Sequence, residues 1–303
     1  MNESLHSYMK VGTIAFMSYP EIMRGDGDKI ESSIRKILAD PYFTAIETTW
    51  IKDPEVRGRV KKLLDASLIT TCYGAQPRFL TTGLNINDLD ESKRLEALAS
   101  LKEGVDEAYE LGAKGIAFLS GKYEEATKEQ SYKALVKSTK EICAYAAQKG
   151  GMMVELEVFD YDVDKKSLIG PTPYAKQFAE EIRKDHANFG LLVDLSHFPL
   201  IHETVGESIF PIRHLITHVH IGNAVVVPGQ PAYGDAHPRF GFPGSANTLQ
   251  DLVEFLRALL GIGFLNKEKP PVLSFEVKPF GDEDPDIILA GCKRFLNEAW
   301  SRV

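Results

Sequence analysis

The chain of 303 residues is poor in cysteine, in excess positive charge and in long apolar runs. Its three cysteines, Cys72, Cys143 and Cys292, lie far apart and form neither a CxxC pair nor an even-numbered set. That excludes a disulfide framework and implies a reduced, cytoplasmic setting. No apolar run approaches the roughly 18 residues of a membrane span. The opening "MNESLHSYMK" lacks a basic region followed by an apolar one, so no secretory signal is expected. Lys and Arg number 35 against 43 Asp and Glu, giving a formal charge of -8. A nucleic-acid partner needs a basic face, and no basic cluster is visible. A linker rich in Pro, Gly or Ser is also missing, and no G-x-G-x-x-G follows the first strand-like run.

What is present is alternation. Eight β-branched or aromatic runs read as strands: 11–17, 43–49, 68–74, 115–120, 151–158, 190–195, 215–222 and 271–277. Amphipathic patterns separate them. "DKIESSIRKILAD" places Ile30, Ile34 and Leu38 on one stripe. "DPEVRGRVKKLLDAS" begins with Asp53 as an N-cap and Pro54 at the first helical position. The long helical pattern after "DLDES" ends at Gly112, a suitable C-cap. Eight such units imply parallel pairing with right-handed crossovers, and a chain of this length suits one domain, a (β/α)8 TIM barrel spanning 1–303. An open doubly wound sheet is the rival.

One connection stands apart. Residues 222–246 read "GNAVVVPGQPAYGDAHPRFGFPGSA", without helical or strand periodicity. Loops this long in compact domains are commonly functional.

In such barrels chemistry lies at the C-terminal ends of the strands. Strand two carries Glu47. Strand five ends "VELEVFD", with Glu155 and Glu157 on one face. Strand six ends in Asp194, followed by His197. Strand seven holds His218 and His220, and strand eight ends with Glu276. Four consecutive strands thus close on metal-competent side chains. The mouthward members, Glu157, Asp194, His220 and Glu276, are the expected ligands, with Glu155 and His218 in the layer beneath. Three carboxylates and one imidazole favour Mn²⁺, Mg²⁺ or Co²⁺ over a closed structural zinc site.

"VELEVFD", "VDLSH", "HVHIGN" and "SFEV", in that order, resemble the xylose isomerase-like TIM-barrel superfamily, and within it the ketose 3-epimerases and related sugar isomerases. The resemblance implies one divalent ion held by Glu157, Asp194, His220 and Glu276, with Mn²⁺ the first choice and Mg²⁺, Co²⁺ or Zn²⁺ as alternatives. The D-x-x-H of strand six implies that His197 contacts substrate. The chain departs from that pattern after strand seven, where the substrate-reading arginine, here Arg239, comes much later and follows Asp235 and His237. Those two residues would grip sugar hydroxyls or a second metal. The strand-five segment continues "DYDVDKKSLIGPT", where a substrate would be read, although Asp160, Asp162, Asp164 and Lys165 equally suit a solvated turn, and "GAQPRF" after strand three places Gln76 and Arg78 near the mouth.

The function implied is a divalent-metal-dependent isomerase or epimerase working on a keto-sugar through an enediolate, with Glu157 and Glu276 as the proton-moving pair. The alternative keeps that intermediate but ejects a β leaving group. This would be a lyase acting on 3-oxo-glycosides, similar to the barrel subunit of the C-glycoside deglycosidases, with a small partner subunit. An abasic-site phosphodiesterase would need more histidines and a basic groove, and a non-catalytic sugar-binding barrel would not need the carboxylates. The expected partners are a small carbohydrate and either a second copy or a small subunit, with neither nucleic acid nor membrane.

Overall fold

All eight apolar runs form parallel strands: β1 Lys10–Thr13, β2 Ala45–Thr48, β3 Thr70–Gly74, β4 Gly115–Leu119, β5 Met153–Glu157, β6 Phe189–Asp194, β7 Ile216–Gly222 and β8 Val272–Glu276. The structure, a computed structural model, describes residue 1 and residues 3–303. The strands join in the order β1-β8-β7-β6-β5-β4-β3-β2. Between β1 and β2 the seam is held by one parallel bridge, Ile14 to Glu47, and by the Thr44 N–H donating to Val11 O at 2.8 Å. The sheet is therefore a nearly closed (β/α)8 barrel, as the alternation of elements implies.

Local chemistry sets the helix boundaries. The Asp53 carboxylate accepts from the N–H groups of Glu55 and Val56 and starts the helix Pro54–Ser67. Gly112, at φ 79°, stops Glu91–Leu111 in the left-handed region that a side chain would resist. Thr248 and Asp251 form a reciprocal capping box at the start of Leu249–Gly261. The first barrel helix, Ile30–Ala39, buries Ile30, Ile34 and Ile37, so Ile37 takes the inward place expected of Leu38.

The first strand is shorter than its apolar run. It ends at Thr13, and Ala15–Ser18 form a short helix tied back by a 2.7 Å contact between the Thr13 and Ser18 hydroxyls. All four helical residues are buried, and a fully buried run carries no periodicity to tell strand from helix. Short helices at Gln76–Leu80 and Val205–Ile209 escape periodicity for the same lack of length.

The segment after β7 carries no helix and no strand, only isolated bridges from Val225 to Tyr233 and Gly234. Its base is fastened by buried amides. Asn223 Oδ1 accepts from Ala224 N–H and Asn247 N–H, and Asn247 Nδ2 donates to Leu195 O and Gly222 O. Lys278 N–H donates to His237 O at 2.7 Å and ties the loop to the exit of β8. Among the described residues, no helix is long and apolar enough to cross a membrane.

Candidate active site

Strand register brings the strand-end side chains to one place. Asp194 lies opposite His220 in the β6–β7 ladder, and Gly222 opposite Glu276 in β7–β8. Gly222 has to lack a side chain, because a Cβ there would stand 2.5 Å from the Glu276 carbonyl oxygen. Glu157, Asp194, His220 and Glu276 each offer a ligand atom, and these atoms all lie within 4.8 Å of one another. The four residues are no more than 6% exposed. Asp194 is fixed by the Ser196 N–H at 2.8 Å and the Ser196 hydroxyl at 2.6 Å. Glu157 Oε2 accepts from Gln76 Nε2 at 2.7 Å, while its Oε1 is buried without a hydrogen-bond partner. Three crowded carboxylates and an unpaired buried oxygen are costly unless a cation or protons neutralise them. The donor set and its orphaned oxygen therefore fit a divalent ion.

A second layer orients the first. His220 Nδ1 lies 2.6 Å from Glu276 Oε2, and its Nε2 lies 3.0 Å from Glu47 Oε1. Glu47 also meets His218 Nε2 at 2.8 Å, and His218 Nδ1 stands 3.4 Å from Glu155 Oε2. Burial opposes ionisation of Glu47, but His218 and His220 outweigh it and hold the carboxyl well below its usual range. Burial likewise disfavours a charged His220, and Glu47 and Glu276 override it, raising the imidazole well above its usual value. Glu276 moves the other way. Burial and the neighbouring Glu157 push it up to about 7, against the pull of His237 and His220.

The loop after β7 inserts its own polar pair beside this cluster. Asp235 Oδ1 lies 2.7 Å from His237 Nε2 and 3.1 Å from His197 Nε2, and Lys165 Nζ holds Asp235 Oδ2 at 2.8 Å. His237 adopts φ 49°, an unfavourable backbone state for a residue with a side chain. Its Nδ1 meets the Ser196 hydroxyl at 3.2 Å. Burial lowers the tendency of His237 to take a proton, and Asp235 more than compensates, bringing it to about 9. His197 anchors its Nδ1–H on Val158 O at 2.8 Å. Its Nε2 and Asp235 Oδ1 remain buried and without well-aligned partners despite their closeness. Asp194, His197 and His237 also offer ligand atoms close enough to hold a cation.

The strand-five extension is built rather than solvated. Asp160 is fully buried and its carboxylate accepts from the backbone N–H groups of Val163, Asp164, Lys165 and Lys166. That turn delivers Lys165 to Asp235. Above the cluster lies a cavity of about 180 Å³ lined by Gln76, Phe159, Lys165, Asp235, His237 and Glu276, among others.

Arg239 is not among its lining residues. Its Nε pairs with Glu283 at 2.7 Å and its guanidinium lies 5.7 Å from the Phe242 ring. Arg78 is also drawn elsewhere, into a buried 2.7 Å pair with Glu107, whereas Gln76 reaches the mouth. Glu47, Ser196 and Lys165 complete the site although the sequence assigned none of them a role, Glu47 being noted only as an acid carried by strand two. Glu47 had the one usable signal, an acid inside an apolar strand.

The sequence matches the family model for the xylose isomerase-like TIM barrel over residues 38–297. No curated protein matches it. Among solved structures it is similar to a D-tagatose 3-epimerase-like protein, with TM-score 0.71 and 19% identity over 97% of this chain and 99% of that one. It is also similar to D-psicose 3-epimerase from Clostridium cellulolyticum H10, with TM-score 0.67 and 19% identity over 97% of each chain. A third likeness is to 3-keto-D-glucoside 4-epimerase from E. coli, with TM-score 0.66 and 17% identity over 95% of this chain and 99% of that one. At these identities the structural likenesses speak for the fold, and the family match spans most of the chain: the protein belongs to the xylose isomerase-like TIM barrel family.

Proposed function

We propose that the protein is a divalent-metal-dependent sugar isomerase or epimerase that moves a proton on a keto-sugar through an enediolate. The observation that carries this reading is the buried convergence of Glu157, Asp194, His220 and Glu276 beneath a cavity, with Glu157 Oε1 unpaired. The likeness to D-psicose 3-epimerase, 3-keto-D-glucoside 4-epimerase and a D-tagatose 3-epimerase-like protein supports the same class. Glu157, Asp194, His220 and Glu276 would hold the ion, Mn²⁺ by preference. When bound, it supplies a positive charge that lowers the cost of negative charge developing on adjacent substrate oxygens.

The chain's own residues handle the proton. One of Glu157 and Glu276 takes the proton from the carbon next to the carbonyl, leaving the enediolate. The other gives one back, on the opposite face for epimerisation or on the neighbouring carbon for isomerisation. A carboxylate can hold the ion through one oxygen and move a proton through the other, so Glu157 and Glu276 can serve in both roles. Gln76 orients Glu157 through its 2.7 Å hydrogen bond. His197, Asp235 and His237 would bind sugar hydroxyls, because His197 Nε2 and Asp235 Oδ1 still lack aligned partners.

The test is incubation of ketoses and 3-oxo-glucosides with the Mn²⁺-loaded protein in D₂O, followed by NMR. Deuterium should enter the carbon next to the carbonyl. A product that forms without deuterium there removes the proton-transfer route. The β-elimination reading, a lyase on 3-oxo-glycosides, shares the enediolate and is favoured by one observation, a much larger cavity adjoining the first. Release of the aglycone in the same NMR experiment selects it.

A further inference from the structure

The larger cavity, of about 700 Å³, lies beside the catalytic one and is built from the segments that follow β3 and β4. Leu80 and Lys165 line both cavities, so the two adjoin at the barrel mouth. The smaller space, about 180 Å³, falls below the roughly 300–1,000 Å³ of a typical small-molecule site, and the larger falls within that range. The geometry points to a second carbohydrate subsite: the substrate is a glycoside whose oxidised ring sits at Glu157 and Glu276 and whose second, hydroxyl-bearing unit occupies the cavity after β3 and β4. This rests on the sugar reading of the same site and narrows it from free ketoses to glycosides.

Three features of the lining suit a glycosyl unit. Asn87 is 1% exposed, and its Oδ1 accepts from Gly121 N–H at 2.5 Å while its Nδ2 has no partner. A buried amide left unpaired is costly, and a sugar hydroxyl would satisfy it. Ser120 Oγ accepts from Ile169 N–H at 2.9 Å, which leaves its own O–H to donate. Leu80 and Leu89, 48% and 52% exposed, supply apolar surface at the rim for the C–H face of a ring. Lys165, fixed by Asp164 and Asp235, stands where the two units would join.

Thr127 lines the cavity and is only partly buried, so Thr127→Trp fills the space from its edge. Asn87→Ser removes the unpaired amide. The probes are a methyl 3-oxo-glucoside and a 3-oxo-disaccharide. Wild type should show a KM about tenfold lower for the disaccharide, the equivalent of one buried hydrogen bond, with similar kcat. Thr127→Trp and Asn87→Ser should erase that difference and leave the methyl glycoside unchanged. Equal KM values in wild type, or equal losses on both sugars in both variants, overturn the subsite. If neither sugar exchanges deuterium, the proton-transfer reading has failed, and saturation-transfer NMR with cellobiose and glucose decides the subsite alone. Preferential cellobiose binding lost in Thr127→Trp upholds it, and no preference in wild type overturns it.

Discussion

Glu47 and His220, 173 positions apart in the chain, meet at 3.0 Å between Oε1 and Nε2. A proton held on Nε2 by that carboxylate means that Nδ1, once its own proton is displaced, turns a lone pair toward Glu276 and Glu157. Glu47 thereby selects the tautomer that can bind a cation, as carboxylates behind metal-bound histidines commonly do. Glu47→Gln keeps the shape but loses the charge. It should weaken Mn²⁺ binding about 10–100-fold, the usual cost of losing such a partner, with the circular dichroism spectrum unchanged. Titration calorimetry showing wild-type affinity would remove Glu47 from the site.

Gly222→Ala tests how tightly the strand ends are packed. The new Cβ would stand 2.5 Å from Glu276 O, a backbone atom that cannot swing away, so β7 and β8 would have to part. Overpacking of this kind costs about 1–3 kcal/mol. The urea midpoint should fall, and Mn²⁺ affinity should fall with it as Glu276 shifts. An unchanged midpoint would mean that the ladder yields without strain.

The four strand-end residues and the barrel were legible for one reason. An apolar strand in a barrel reaches the functional mouth only at its C-terminal end, so a polar side chain there stands out against its run. Glu157, Asp194, His220 and Glu276 all read this way. Glu47 was visible as an acid in β2, but its link to His220 exists only because the barrel closes. The path of an aperiodic loop leaves no such trace. His237 turns through a positive φ just before Pro238, and Arg239 departs toward Glu283 although Asp235 and His237 stay at the site. Lys165 reaches Asp235 across 70 positions because buried Asp160 gathers four backbone N–H groups, which composition alone reads as a solvated turn.

Metal binding should release protons. Without the ion, Glu276 is pushed up to about 7 and His220 lies well above its ordinary value. Both groups therefore hold protons below those values, and a cation must displace them. The sign follows: affinity rises with pH through neutrality and falls toward pH 5, by about tenfold per unit where one proton competes. Calorimetry in two buffers of different ionisation enthalpy at pH 6.5 measures the protons released. Equal observed enthalpies would mean that no proton leaves, contradicting the protonated state of both groups.

His197 and Glu157 should separate substrate binding from proton transfer. His197 is held by Val158 O through Nδ1, and its Nε2 ends beside Asp235 Oδ1 without an aligned bond. A sugar hydroxyl between them would satisfy both. His197→Ala should therefore raise KM with a smaller change in kcat, at a cost of about 1–3 kcal/mol for the group left unpaired. Mn²⁺ affinity should hold, because His197 is outside the group formed by Glu157, Asp194, His220 and Glu276. Glu157→Gln should instead abolish deuterium exchange, since it removes both a ligand charge and a proton carrier, and Gln76 would no longer face a carboxylate. The decisive comparison is between the two variants under saturating sugar and Mn²⁺. If His197→Ala loses kcat as completely as Glu157→Gln, His197 belongs to the proton path. If Glu157→Gln still exchanges deuterium, the proton passes through another group, and Glu276 is the one left in reach.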